Sequence, residues 1–289
     1  VKPPSFEYHA PRDLGEALET LAGAHGKVLA GGQSLIPLLN MRLVAPEHLV
    51  DINRIESLAT VETTPEGVTV GALARHSTVE HSGAHPLLGQ ALRLVAHPVI
   101  RNRGTVVGSL VHADPAAELP AVLAVLDGSV RLARDDATAG APAVRDVSAA
   151  EFFTGPMESA VKPGELAVSA HFPALPERSG TAFREVARRH GDYALAGVCA
   201  VVTLDDDQRI GSARVSCIGV GPVPIVVDVT PECDGRPAAT ADWAAVVRAV
   251  RQGTEPDDDI HATAAYRRHL VGVLAGQALR EAAREAAAD

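Results

Sequence analysis

Two glycine-bearing segments hold the residues best suited to chemistry. The first is Ala30-Gly31-Gly32-Gln33-Ser34, where an apolar stretch of strand character runs into a helical one. Glycines let backbone N–H groups approach a ligand closely, and a helix start adds partial positive charge suited to phosphate. The segment fits neither GxGxxG nor GxxxxGK(S/T), so neither the dinucleotide fingerprint nor a P-loop is supported, and taken alone it reads first as a helix cap in a tight turn. The second runs from Arg101 through Gly104, Thr105, Val106, Val107, Gly108 and Ser109 to His112, Asp114 and Glu118. It gathers small residues, hydroxyls and a helix start around two carboxylates, which could hold a diphosphate and accept from ribose hydroxyls. A capped loop is an equal reading of the same residues.

Other candidates carry less. Of 12 histidines, His76, His81 and His85 are close in sequence, but their spacing does not put all three on one helical face, and no carboxylate supports them. They read as surface or capping residues, and no metal centre is expected. Cys199, Cys217 and Cys233 form no CxxC pair, which excludes a zinc ribbon or an iron–sulfur cluster built from this chain alone. An odd, sparse count suits a reducing cytoplasm. The run Asp257-Asp258-Asp259 lacks the glycine and terminal glutamate of a calcium loop and reads as the acidic start of the last helix. Asp205-Asp206-Asp207 reads as a turn between strands. Ser34 and Ser109 have no base at a recognisable spacing, so a hydrolase has little behind it.

The elements that must position these residues follow from hydrophobic period. In the first half, strands are expected at 27–30, 48–52 and 67–73, and helices at 34–43, 87–95 and 115–126, the last with proline in its first turn. After about residue 173 come three long runs that are alternating or β-branched, 183–189, 195–204 and 209–220, as in antiparallel strands. A domain boundary is expected at 173–180. Helices at 242–252 and 261–285 close the chain, and 134–144 is expected to be a surface loop.

With 289 residues, 46% hydrophobic and 21% charged, the chain is expected to be globular, with two domains or one two-lobed unit. A net charge of −10 repels phosphate backbones, which argues against nucleic acid as the main partner. No charged segment followed by an apolar run stands at 1–10, and no stretch approaches the ~20 apolar residues of a membrane span. A cytoplasmic location is expected.

Several segments together resemble one family. AGGQSLIPLLNMRL at 30–43, RNRGTVVGSLVHADPAAELPAVL at 101–123 and GDYALAG at 191–197 resemble the medium, flavin-binding subunit of bacterial molybdenum hydroxylases. Carbon monoxide dehydrogenase and its aerobic relatives belong there, and the flavin domain of xanthine dehydrogenase is a distant cousin. The segments GVGPVP at 219–224 and DDIHATAAYRRHL at 258–270 look like the family's C-terminal domain, so the resemblance covers nearly the whole chain.

It implies an α+β fold: a vanillyl-alcohol-oxidase-type FAD-binding domain of two α/β subdomains over 1–175, then a smaller α+β domain with an antiparallel sheet over 176–289. It implies non-covalent FAD, its diphosphate wrapped by the backbone of Ala30, Gly31, Gly32, Gln33 and Ser34, with Leu35 following. Thr105, Val106, Val107, Gly108 and Ser109 would form a second loop against it, with His112 and Asp114 beyond. Glu118 would bond the adenosine part, Arg184 approach the flavin ring and Ala167 meet its edge. Asp192 and Tyr193 would stand over the isoalloxazine, the tyrosine shielding one face; the alternative for Tyr193 is a core strand aromatic. One departure stands out: the family usually reads Thr-Ile-Gly-Gly in the second loop, and here Val107 occupies the first glycine. A β-branched residue resists positive φ, so a left-handed requirement there would force the loop to shift.

The activity implied is a relay. A molybdopterin-binding large subunit oxidises the substrate, electrons cross two 2Fe–2S clusters on a small subunit, and FAD on this chain passes them to an acceptor, within a heterotrimer or its dimer. Two other readings remain: a free-standing FAD oxidase or dehydrogenase, and a scaffold that has lost flavin.

Overall fold

The computed structural model describes residues 2–24, 26–136, 138 and 140–288. The chain opens with β1 (Glu7–His9), α1 (Leu14–Gly23), β2 (Gly26–Leu29), α2 (Leu35–Asn40) and β3 (His48–Asp51). The strands pair in parallel in the order β1-β3-β2, and α1 and α2 supply the crossovers that parallel pairing demands. Helix α1 starts where Asp13 accepts a hydrogen bond from the Glu16 amide at 2.9 Å, and it buries Ala17, Leu18 and Leu21.

A second, antiparallel unit follows: β4 (Val61–Thr64), β5 (Gly67–Gly71), α3 (His76–Ser82), α4 (Pro86–Leu92), α5 (Pro98–Arg101), α6 (Val106–His112), α7 (Glu118–Val125), β6 (Ser129–Arg134), β7 (Ala143–Ser148), α8 (Ala149–Phe152), β8 (Phe153–Gly155), β9 (Glu158–Ser159) and β10 (Glu165–Pro173). Its main sheet runs β4-β5-β10-β6-β7, with helices α3 to α7 inserted between β5 and β6.

The rest of the chain is a four-stranded antiparallel meander of β11 (Ser179–Ala187), β12 (Ala194–Leu204), β13 (Ile210–Ile218) and β14 (Ile225–Asp228), then α9 (Thr230–Cys233), α10 (Ala244–Gln252) and α11 (Ala264–Ala286). Helix α11 lies along β11 and β12 through Ala275, Ala278 and Ala282, all fully buried. The approach is close enough that a Cβ on Gly180 would sit 2.0 Å from the Ala282 carbonyl oxygen, which is why glycine stands there.

Two hydrophobic cores result. One gathers Val50, Leu88, Val122, Phe152 and Phe172; the other lies under α11 and includes Val198, Val215, Trp243 and Leu279. The first also takes Phe183, Cys199 and Ile218 from the meander, so that sheet is covered on both faces, by α11 on one and by α4 and α7 on the other. Helix α7 is accordingly buried on every side from Leu119 to Val125.

Several element ends shift by a few residues from expectation, and three of the differences have a clear local reason. The helix expected at 115–126 begins at Glu118, because the Asp114 carboxylate accepts from the Ala116 amide at 2.8 Å and holds a turn open before it. Pro120 is then its third residue, where the missing N–H had no intrahelical partner to lose. The helix expected from 261 begins at Ala264, because Asp259 accepts from the amides of His261 and Ala262 and Asp258 from that of Ala264. Asp258 and Asp259 therefore hold the turn before α11, and Thr263 caps it, its Oγ1 accepting from the Tyr266 amide at 3.2 Å. The segment expected to be a loop at 105–109 is the N-cap and first turn of α6. Residues 135–142 do join β6 to β7, with Ala137 and Ala139 outside the described residues. No helix among the described residues is long and apolar enough to cross a membrane.

Candidate functional site

Where β2 ends, the chain makes the turn Ala30-Gly31-Gly32-Gln33-Ser34 and enters α2. Gly32 is left-handed at φ +75. Gly31 answers a different need: a Cβ there would lie 2.4 Å from the carbonyl oxygen of Arg103. The two glycine-bearing segments are thus pressed together backbone to backbone. A bridge of side chains fixes the contact. Asn53 donates to the Ala30 carbonyl at 2.8 Å and accepts from Arg75 at 2.6 Å, and the other guanidinium arm of Arg75 donates to the Arg103 carbonyl at 2.6 Å.

Beyond Gly104, Thr105 caps α6, its Oγ1 accepting from the Gly108 amide at 3.2 Å. Val107 is helical and 2% exposed, and it is not among the positive-φ residues. The left-handed requirement that would have opposed valine does not arise.

His76 holds this segment from behind. It is 3% exposed, its amide donates to the Gly104 carbonyl, and its Nε2 lies 2.9 Å from the Thr105 carbonyl oxygen and 3.0 Å from Ser109 Oγ. A carbonyl only accepts, so Nε2 carries the hydrogen, and Nδ1 is buried without a partner. Burial pushes the imidazole down to about 4, keeping it neutral. The surface or capping role expected for this residue fails because His76 opens α3 on its inner side. It holds for His85, which is also buried and caps α4 by accepting from the Leu87 amide, and for His81, which is exposed.

A cleft of about 610 Å³ runs past both turns, within the range of sites that bury a small ligand. The residues expected to hold or face the cofactor all line it except Val106 and Arg184. Val106 is fully buried in the core. Arg184 points from β11 to Glu281 of α11, with which it pairs at 2.5 Å, so it does not approach the cleft. Ala167 lines the cleft beside a bulge between Ala167 and Ser169 in β10, where the ladder is interrupted.

The acidic wall is unusual electrostatically. Burial first, and then the Glu185 carboxyl, push Glu118 up to about 8, and burial lifts Glu185 to about 7. Glu185 Oε2 is buried without a partner. At neutral pH Glu118 holds its proton, so it can donate as well as accept. His112 is lowered by burial and stays neutral. Tyr193 stands at the mouth at 63% exposure, which rules out the core-aromatic reading. The residue as a whole is exposed, but partial shielding of its hydroxyl end, with Asp114 and Glu118 adding to it, raises the hydroxyl. Asp192 beside it lies 3.8 Å from Arg188.

Sequence reasoning missed Asn53 and Arg75, and it set His76 aside as a surface or capping residue. No periodic pattern marks them, because their roles arise from how β3, β5 and the 101–105 segment cross in space. The donor set suits one kind of ligand: glycine turns for a diphosphate, carboxyls for ribose hydroxyls, and apolar side chains such as Leu35, Leu38, Val95 and Ile100 for a flat ring.

Comparison with known proteins agrees. Residues 4–175 match the family described as the FAD binding domain in molybdopterin dehydrogenase, and residues 181–282 match the CO dehydrogenase flavoprotein C-terminal domain. The chain is 38% identical to the 6-hydroxypseudooxynicotine dehydrogenase complex subunit alpha of Paenarthrobacter nicotinovorans, over 98% of this chain and 96% of the relative. It is 32% identical to the carbon monoxide dehydrogenase medium chain of Hydrogenophaga pseudoflava, over 97% of this chain and 98% of the relative. The solved structure of quinoline 2-oxidoreductase from Pseudomonas putida 86 superposes with a TM-score of 0.90 at 32% identity, covering 99% of both chains. With both halves matched and relatives aligned end to end, this chain belongs to the FAD-binding subunits of the molybdenum hydroxylase family.

Proposed function

We propose that the chain holds FAD non-covalently in the cleft and relays electrons from the 2Fe–2S clusters of a small subunit to a terminal acceptor, while a molybdopterin-binding large subunit oxidises the substrate. The observation that carries this reading is the closure of the two glycine-bearing segments onto one cleft that Glu118 and Tyr193 also line. When bound, FAD supplies a centre that takes up and releases electrons singly or in pairs. The protein's share is binding and orientation. Amides of Ala30, Gly31, Gly32, Gln33 and Ser34, with Leu35, wrap the diphosphate; Thr105, Val107, Gly108 and Ser109 face it from α6. Protonated Glu118, with Asp114 and His112 nearby, holds the adenosine end. Ala167 meets the flavin edge, and Asp192 and Tyr193 cover one face of the ring and control acceptor access. Arg184 has no part in this arrangement.

The parallel and antiparallel units before residue 175 are the two subdomains of a vanillyl-alcohol-oxidase-type fold, and residues 176–289 form the second domain. Ile36, Met41 and Leu43, exposed on and just after α2, provide apolar surface where a partner docks. The relatives' printed names, complex subunit and medium chain, support such an assembly. Three unpaired thiols support a cytoplasmic setting.

The test is an absorbance spectrum of the purified chain, with acid-released chromophore identified by chromatography, followed by mixing with the large and small subunits. Releasable FAD that bleaches only when substrate and both partners are present is the expected result. A colourless chain that added FAD does not restore would overturn the flavoprotein reading, and turnover by the chain alone would overturn the relay.

A further inference from the structure

The parallel pairing of β1 with β3 brings together three side chains that lie far apart in sequence and do not line the cofactor cleft. Glu7 and His9 are two residues apart on a strand, so both leave its same face, and Glu7 sits directly across from His48. The result is a convergence of ligand atoms. His9 Nε2 lies 3.0 Å from His48 Nδ1, and the Glu7 carboxylate oxygens lie 3.8 Å from the first and 3.7 Å from the second.

Two imidazole nitrogens approach this closely either through a shared hydrogen or around a common cation. The His9–His48 spacing is compatible with both, and the convergence of a carboxylate on the two nitrogens points to the second. Ligands held about 2.0–2.1 Å from one zinc ion stand roughly 3–3.4 Å apart around it, and the histidine pair already has that spacing. Both histidine side chains are about a quarter exposed, at 26% and 25%, so packing restricts their rotamers while leaving the nitrogens open to an arriving ion. Glu7 is 68% exposed and can close the remaining few tenths of an ångström at little cost. Two imidazoles and one carboxylate favour zinc and similar transition ions over magnesium or calcium, which prefer oxygen ligands.

We propose that Glu7, His9 and His48 form a binding site for a divalent transition-metal ion of the zinc class, with three protein ligands and a fourth position left to water. Such an ion fastens β1 to the strand beside it. Linear spacing could not reveal the site, because the ligands become neighbours only through strand register.

The test uses the full FAD-loaded chain, freed of any histidine tag and dialysed against chelator, titrated with Zn²⁺ by calorimetry. One zinc per chain is expected, together with a zinc-dependent rise in the unfolding midpoint. His48→Ala should abolish uptake. Glu7→Gln, at a residue too exposed to matter for folding, should weaken it by at least about tenfold, the least that even an outer-shell partner typically costs. Bound FAD should be unchanged in both variants. No stoichiometric uptake by the wild type, uptake that survives His48→Ala, or unaltered affinity in Glu7→Gln would each overturn the proposal.

Discussion

Glu118 illustrates how position turns a carboxyl into a donor. Its ordinary value of 4.5 rises to about 8 in the fold, chiefly through burial and then through Glu185. A proton held more tightly in the folded state gives stability that is complete below the unfolded value and is lost as pH rises through the folded one. Glu118→Gln is neutral throughout, so its urea midpoint should gain on the wild type between about pH 5 and about pH 8.5; a gap independent of pH would refute the raised value. The same substitution keeps a hydrogen-bonding group in the cleft, whereas Glu118→Ala removes it and should weaken FAD binding by about 1–3 kcal/mol, read by flavin fluorescence titration. Residues of this kind were legible to different degrees. Glu118 and the two turns could be placed from the sequence because several family-like segments occur in order. Asn53, Arg75 and His76 could not, since each acts on a carbonyl brought to it by another element. Arg184 was misplaced because a strand position alone does not say which neighbour its side chain will reach, and Glu281 of α11 reaches it first.

At the scale of elements, the site depends on two turns meeting, and Gly31 is the point of contact. Gly31→Ala places a methyl group against the Arg103 carbonyl, and backbone on both sides leaves no flexible side chain to give way. Overpacking of this sort costs about 1–3 kcal/mol, and here the relief is separation of the turns, so FAD affinity should fall at least about tenfold. Gly23→Ala is the control: nothing lies within 4 Å of its added Cβ, and it should bind FAD like the wild type. Equal affinity in the two variants would show that the contact does not shape the site. The strands of the meander were legible because they are long runs of apolar and β-branched residues that follow one another closely, β11, β12 and β13 reaching 9, 11 and 9 residues. Helix starts were not, and the reason is the same at α7 and α11. Aspartate side chains at 114, 258 and 259 capture nearby amides and delay the first helical turn, a local competition that hydrophobic period does not register.

For the whole molecule, composition indicated two lobes but could not show that they share a wall. Helix α7 belongs by sequence to the first part of the chain, yet it packs against β12 and β13, and Phe183, Cys199 and Ile218 of the meander complete the first core. The Gly219 amide donates to the Pro115 carbonyl at 2.9 Å, and Arg214 of β13 pairs with Asp127, so polar links reinforce the apolar seam on both ends of α7. The cofactor cleft lies along that seam, since Glu118 at the start of α7 and Tyr193 beside β12 both line it. A fragment ending at residue 175 would therefore lose the cover of α7 and one wall of the cleft together. Removing apolar cover leaves a patch that drives association, so the fragment should elute as soluble aggregate, bind a hydrophobic dye and retain no FAD, while the full chain unfolds in a single transition. A monodisperse fragment that unfolds cooperatively would show that the first lobe stands alone and that the shared helix is an ordinary domain contact.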